Sequence, residues 1–342
     1  MKAAVLHGKE DVRLETLAER PLALGEVRVR IGAALTCGTD LKVFKRGYHA
    51  KMLVPPTVFG HELAGEIVET RQTGWLAGER IVTANSAPCG GCAPCQRGQP
   101  NLCDGLLFLN GAYAESIVVP ARLVEKNLLR LQPGTPFRDA ALTEPLACVV
   151  QGVEDSQLAA GQRVLVIGAG PIGLMFVALA DHLGCAVTVA GRGEARLAAA
   201  LRLGAETVVD VGPTGDILAA ASARWPRPDF DVVIEAVGKP EAWEAAVKLV
   251  RKGGLVNFFG GCPAGTSVTL DTGLIHYSNL ILRASFHHTP RTIRRALAFI
   301  EAGVIRAADF VDGECALSDL PALFQRMTTG NRVVKTFIDV TR

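Results

Sequence analysis

The sequence predicts an α/β protein of two domains: a β-rich domain, an inserted doubly wound domain, and a C-terminal return to the first. Three observations carry this. Residues 1–146 are short β-branched runs punctuated by Gly, Pro and Asn. From about residue 160, strand-length apolar runs alternate with helical stretches of roughly ten to fifteen residues, the pattern of right-handed βαβ crossovers and a parallel sheet. The tail VVKTFIDV (333–340) is strand-like again. A chain of 342 residues is long enough for two domains and a sizeable core. The expected domains are 1–147, 148–286 and 287–342, the last rejoining the first.

The elements follow in order. KAAVLH, EVRVRIGAAL, ELAGEIVET, RIVTAN and YAESIVVP are the strands of the β-rich part. RVLVIGAG (163–170) is an apolar run ending in glycine, and PIGLMFVALADHLG (171–184) follows at helical period. AVTVAG (186–191) is a strand, EARLAAALRLG a helix, AETVVDV a strand and TGDILAAASAR a helix. FDVVIEAVG is a strand, PEAWEAAVKLVRKGG a helix and LVNFFGG a strand. LILRASF (280–286) is the last strand of this run, and RTIRRALAFIEAG is a helix. No internal repeat and no low-complexity segment interrupts the series.

Composition excludes several classes. Hydrophobic residues are 49% and charged residues 20%, an ordinary globular balance. The net charge is only +2 with the basic residues scattered, so neither nucleic acid nor an anionic membrane surface is expected as a partner. No apolar run reaches the ~18 residues of a membrane span, and the N-terminus lacks the apolar core of a signal peptide. An uncleaved cytoplasmic protein is expected, in which thiols stay mostly reduced. Nine cysteines is also an odd number, so complete internal pairing is impossible.

GAGPIG places Gly168, Gly170 and Gly173 in the G-x-G-x-x-G pattern, with Pro171 and Ile172 between them, directly after a strand and opening a helix. The first glycine makes the tight turn, the second lets backbone approach a pyrophosphate, and the third lets helix pack on strand. The helix N-terminus then offers N–H groups and a positive dipole end to phosphates. An NAD site has an acid about 20 residues further on; here Gly191 and Arg192 stand at the end of the second strand. A small residue leaves room for a 2′-phosphate and a guanidinium pairs with it, with Arg196 one turn on as a helper, so NADP is preferred over NAD. The alternative is that Glu194 serves the ribose.

PCGGCAPCQRGQPNLC (88–103) carries Cys89, Cys92, Cys95 and Cys103. The bacterial ferredoxin pattern also opens C-x2-C-x2-C but continues x3-C-P, whereas seven residues precede Cys103 and Asp104 follows it. Four thiolates on a Gly- and Pro-rich loop suit a closed structural zinc site; an iron–sulfur site, disulfides and free thiols are the alternatives. A second set is sparser: Cys37 in LTCGTD, His61 and Glu62 in FGHELAGE, and Glu144 in LTEPLAC. One thiolate, one imidazole and two carboxylates supply the three protein ligands of an open, catalytic zinc site.

CGTD, GHE, the CxxCxxCx7C lobe, EPLA, GAGPIG and the KGG-strand, in that order, resemble the zinc-dependent medium-chain alcohol dehydrogenase family over essentially the whole chain. Its polyol (sorbitol) dehydrogenase branch is the most similar, with threonine dehydrogenases second. The resemblance implies a GroES-like catalytic domain interrupted by a Rossmann domain, with the active site in the cleft between them. It also implies two zinc ions per chain, one catalytic and one structural. Cys37, His61 and Glu62 are the implied catalytic ligands, with Glu144 binding directly or through a water. A secondary alcohol (polyol, cyclitol or sugar-derived) would lose its proton, with Thr39 taking it, and pass a hydride to NAD(P) to give a ketone. The chain departs from the family at Lys42, where a histidine often stands. A homo-oligomer, tetramer or dimer, is likewise implied. The alternatives are an L-threonine or amino-alcohol dehydrogenase and a non-catalytic NADPH-binding protein. His287 and His288, and Phe44 and Tyr48, are weaker pocket candidates; Cys148, Cys185, Cys262 and Cys315 read as buried thiols.

Overall fold

A computed structural model describes residues 1–49, 51–227, 229–330 and 333–342. The chain divides into two compact units, Met1–Ala147 with His288–Arg342, and Cys148–His287.

The first unit is built on the strand Val27–Leu35, which pairs antiparallel with Glu62–Thr70 along most of its length. Around it the sheet runs Leu128–Arg130, Arg80–Thr83, Glu62–Thr70, Val27–Leu35, Lys335–Asp339 and Val311–Ala316, and Ser116–Val119 also pairs with Val27–Leu35. The strand from the C-terminal segment therefore sits beside the central N-terminal one, which makes residues 288–342 part of this unit. A smaller sheet sets Lys2–Gly8 between Asp11–Thr16 and Thr57–Val58. The core between these layers is centred on Phe324, whose ring lies 5.4 Å from Phe44 and 5.2 Å from Phe59. Burying each of these rings is worth about 1.5–3 kcal/mol. Phe44 is thus a core residue.

Helices not foreseen in this unit's sequence include Gly38–Arg46, Ala121–Asn127 and Leu320–Thr328, together with the first residues of Thr143–Asp155, which continues into the second unit. Thr143–Asp155 carries the EPLA motif in its first turn.

The second unit holds a six-stranded, all-parallel sheet in the order Thr207–Asp210, Ala186–Gly191, Arg163–Ile167, Phe230–Glu235, Val250–Phe258, Ile281–Ala284. In chain order this is 3-2-1-4-5-6, the doubly wound arrangement. The α/β class and the parallel sheet expected from the alternating pattern are both present. One boundary differs. The helix expected over PEAWEAAVKLVRKGG stops at Leu249, and VRKGG opens the strand Val250–Phe258. Gly253 has φ +70°, outside helical backbone, and a Cβ on Gly254 would stand 2.8 Å from the Asp231 carbonyl of the neighbouring strand. Those two glycines accommodate a register shift between Phe230 and Val232.

The turn after Arg163–Ile167 shows three glycines with three separate reasons. Gly168 has φ +115°, which L side chains rarely adopt. A Cβ on Gly173 would come 1.8 Å from the Gly168 carbonyl, so only glycine lets the helix Pro171–His182 lie on the turn. Nothing lies within 4 Å of the Cβ position of Gly170. Gly173→Ala is therefore expected to destabilise the protein by about 3 kcal/mol, read as a lower urea midpoint. Gly170→Ala should stay within about 1 kcal/mol of the parent yet bind NADPH at least tenfold more weakly in a fluorescence titration. Equal stability of the two variants would contradict the packing argument.

Candidate functional site

The register of the central strand assembles a buried cluster of chemically active side chains. Leu35 pairs with Glu62 on one side and with Phe337 on the other. Residues just beyond the strand ends therefore meet: Cys37 and Thr36 from the first strand, His61 and Glu62 from the second, Lys335 from the third. Thr36 and Thr336 lock the junction, Thr36 N donating to Thr336 O at 3.0 Å and Thr336 N to Thr36 Oγ1 at 2.9 Å.

Cys37 caps the helix Gly38–Arg46. Its Sγ accepts from Thr39 N at 3.4 Å, and Asp40 Oδ2 accepts from Cys37 N at 3.1 Å. That reciprocal cap turns Asp40 inward, and it is buried. Asp40 Oδ1 lies 2.8 Å from His61 Nδ1. A carboxylate only accepts, so the network assigns a proton to Nδ1, and Nε2 is the nitrogen a metal would take by displacing its proton. Burial works against a charged imidazole, but Asp40 and Cys37 outweigh it and hold the His61 pKa well above the ordinary histidine value. The same negative field attracts a cation.

Glu62 is fully buried and so is Lys335 beside it. Lys335 Nζ lies 2.7 Å from Glu62 Oε1, 2.5 Å from Oε2 and 2.9 Å from the Thr36 carbonyl. An ammonium has three donors, and here it has three acceptors. Burial alone would lower the lysine pKa, but Glu62 reverses the sign and raises it, while burial raises the Glu62 carboxyl against the pull of Lys335; the three short contacts to Nζ are those of an ammonium. Glu144, in the first turn of Thr143–Asp155, is buried, and burial pushes its carboxyl up to about 7. Its Oε1 lies 3.8 Å from His288 Nε2, which is 2.9 Å from Asn85 Oδ1.

Cys37, His61 and Glu62 present one ligand atom each, all within 4.8 Å of one another. Glu144 falls outside that group. A sulfur, an imidazole nitrogen and a carboxylate oxygen at this spacing fit a zinc ion with a position left for substrate. Thr39 is half-buried at the same helix start, and among the described residues its hydroxyl has no protein partner. Lys42 is exposed, as is Tyr48.

The four cysteines of the loop converge as a second group. The four sulfurs lie within 4.8 Å of one another. Cys92 Sγ is 3.5 Å from Cys95 Sγ and 3.7 Å from Cys103 Sγ. A disulfide needs about 2.05 Å, whereas the edges of a tetrahedron with Zn–S of about 2.3 Å are about 3.8 Å. Backbone N–H groups of Gly91 and Cys92 pull the Cys89 thiol down to about 6, while burial and neighbouring thiols push Cys95 up to about 12. Metal uptake here would release protons. None of the nine cysteines is in a disulfide; Cys185 and Cys315 are buried as expected, while Cys148 and Cys262 are only half-buried.

In the second unit, Gly170 caps the helix Pro171–His182 with no side-chain bond to its N–H groups, so the turn presents backbone donors to an anion. Gly191 has a packing reason of its own: a Cβ there would stand 2.6 Å from the Cβ of Ala169. Arg192 is exposed, and its Nη2 donates to Gly215 O at 3.0 Å; Arg196 is half-buried, and Glu194 is exposed.

Sequence reasoning passed over Asp40, Tyr113 and Lys335. Two of the three were marked in the sequence as unusual, though not by partner. Asp40 stands three residues after Cys37 in a capping-box spacing, and Lys335 is the one charge inside the apolar run VVKTFI.

Comparison with known proteins agrees with this architecture. Residues 23–128 match the family model of the alcohol dehydrogenase GroES-like domain, and residues 171–302 that of zinc-binding dehydrogenases. D-altritol 5-dehydrogenase of Agrobacterium fabrum is 34% identical over 333 residues, covering 93% of this chain and 94% of that protein. Sorbitol dehydrogenase of Bacillus subtilis is 27% identical, covering 95% and 93%. A Sinorhizobium meliloti 1021 protein solved with bound NADP superposes with a TM-score of 0.89 at 28% identity, covering 98% of each chain. No helix among the described residues is long and apolar enough to cross a membrane.

Removing one half of the buried pair isolates its contribution. Lys335→Met leaves Glu62 without its cation, and breaking a buried pair costs about 3–5 kcal/mol. Burial then raises the Glu62 pKa in the folded state above its unfolded value, so the folded variant binds the extra proton. Its stability deficit against the parent is expected to be smaller at pH 5 than at pH 8 in denaturant titrations of chelator-treated protein. A deficit that grows as pH falls would contradict the ionised pair.

Proposed function

We propose that the chain, which belongs to the zinc-dependent medium-chain dehydrogenase family and to its polyol branch, oxidises a secondary alcohol of a sugar-derived polyol to a ketone with NADP as hydride acceptor. The observation that carries this is the convergence of Cys37, His61 and Glu62 at one strand end, with Thr39 beside them. A protein that only bound a nucleotide would have no use for that set.

When bound, zinc supplies Lewis acidity that lowers the pKa of an alcohol, and the nicotinamide accepts the hydride. The residues of the chain do the rest. Cys37 and His61 would hold the ion, with Asp40 orienting His61 and Lys335 balancing the charge of Glu62. Glu62, inside the three-residue group, is the nearer carboxylate ligand, and Glu144 with its raised pKa lies next to it as a proton-holding partner. The Thr39 hydroxyl would accept the hydrogen bond of the substrate hydroxyl and relay its proton, passing its own to solvent as the substrate's arrives, while Lys42 is exposed. Cys89, Cys92, Cys95 and Cys103 would hold a second, closed zinc that fixes their loop.

The turn Gly168, Gly170, Pro171, Ile172, Gly173 would hold the cofactor, its backbone N–H groups at the helix N-terminus being suited to a pyrophosphate. Arg192, steadied by the Gly215 carbonyl, offers its guanidinium to a 2′-phosphate, with Arg196 one turn away. Gly191 has a second duty there in addition to its packing on Ala169. The substrate class rests on the altritol and sorbitol dehydrogenases among the relatives.

The test is reduction of NADP and NAD side by side, with sugar alcohols, cyclitols and L-threonine as substrates. Turnover of a sugar alcohol with NADP is expected. Threonine turnover without polyol turnover would overturn the substrate class. Arg192→Ala should raise the KM for NADP about 10–100-fold, the loss of a charge-assisted contact of about 1.5–3 kcal/mol, and leave the KM for NAD unchanged. An equal effect on both nucleotides would contradict the 2′-phosphate role.

A further inference from the structure

Tyr113 is fully buried, and its ring is fixed from several sides. It packs edge-on against Phe59, centroids 5.7 Å apart at 81°, and lies 6.1 Å from Phe324. Its backbone is tied as well, Tyr113 N donating to Phe59 O at 2.9 Å and Ala4 N to Tyr113 O at 2.8 Å. A Cβ on Gly60 would stand 2.7 Å from the ring, and Gly60 has φ +85°. The residue before His61 is therefore a glycine because Tyr113 lies on it. The same ring carries a hydroxyl 2.6 Å from Asp40 Oδ2 and 3.1 Å from the Leu35 carbonyl.

Asp40 is thereby used on both oxygens. Oδ1 faces His61 Nδ1 at 2.8 Å, while Oδ2 accepts from the Tyr113 hydroxyl and from Cys37 N at 3.1 Å. Without the hydroxyl, Oδ2 keeps a single long bond from a backbone N–H, and the carboxylate is free to turn about its Cβ–Cγ bond. The hydroxyl proton goes to the carboxylate in preference to the Leu35 carbonyl, because the ionised acceptor is the stronger one.

We propose that Tyr113 is a positioning residue of the metal site: its hydroxyl fixes Asp40, and through Asp40 the imidazole of His61, while its ring orders the Phe59–Gly60 segment that leads into His61. This rests on the reading of Cys37 and His61 as metal ligands. Tyr113 touches neither metal nor substrate. It acts by holding a hydrogen-bond partner of a ligand, and loss of such partners typically weakens metal binding about 10–100-fold.

The test uses the full chain loaded with Co2+ in place of zinc, titrated against a competing chelator, with visible absorption as a second readout. Tyr113→Phe keeps the ring and deletes the hydroxyl. It is expected to weaken one of two Co2+ equivalents about tenfold or more, to shift that ion's d–d bands, and to leave the thiolate-rich second equivalent unchanged. In an Asp40→Asn background the further effect of Tyr113→Phe should vanish, since the hydroxyl acts through Asp40. Phe59→Leu, in the same aromatic cluster with the hydroxyl intact, sets the packing baseline: it is expected to lower the Tm and to weaken Co2+ binding clearly less than Tyr113→Phe does. Wild-type affinity and spectrum in Tyr113→Phe would overturn the proposal, as would a loss no larger than that of Phe59→Leu. A parent protein that binds one equivalent only, with the same count in Cys37→Ser, would instead overturn the metal-site reading beneath it.

Discussion

Buried charge is the constraint around which the first unit is arranged. Asp40, His61, Glu62, Glu144 and Lys335 are all buried, and a charge taken from water without a partner costs several kcal/mol. Four of them are paired by hydrogen bonds: Lys335 gives its three protons to Glu62 and Thr36, and Asp40 takes bonds from His61, Tyr113 and Cys37. These partners come from chain segments more than 270 residues apart, as the Lys335–Glu62 separation of 273 shows. Only the pairing of Val27–Leu35 with Glu62–Thr70 and Lys335–Asp339 brings them together. The C-terminal strand is therefore more than a structural return: it delivers the ammonium that pairs with Glu62.

Such a cluster is weak evidence for stability, since an apolar core of equal volume is often as stable. Its use is chemical. A largely dehydrated group of thiol, imidazole and carboxylate is a receptor for a divalent cation, and Lys335 offsets the charge of Glu62. The second unit solves a different problem with backbone alone. Gly168, Gly170 and Gly173 expose the N–H groups of one helix end, and Gly173 closes the helix onto the turn.

Much of this was legible in the sequence. The glycine turn, the four-cysteine loop and the CGTD and GHE motifs are local, and local spacing fixes their chemistry. The doubly wound order followed from strands alternating with helices. What was not legible depends on pairing. Nothing near residue 335 says that its lysine meets Glu62, and nothing near Tyr113 says that its hydroxyl meets Asp40; both meetings are set by strand register. The helix end at Leu249 was misread because VRKGG continues an apolar, charged period, while the glycines that forbid the helix act through φ and a close strand contact. Gly191 illustrates the opposite case. A glycine read for the ligand it admits also has a neighbour, Ala169, that permits nothing larger.

The most direct test of the account is the zinc content and alcohol turnover of Cys37→Ser set against the parent protein. The account predicts two zinc ions per chain in the parent and one in the variant. It also predicts unchanged NADPH binding and loss of polyol oxidation, because the open centre is gone while the four-cysteine loop and the glycine turn remain. Polyol oxidation at the parent rate in Cys37→Ser, or an unchanged zinc count, would contradict it.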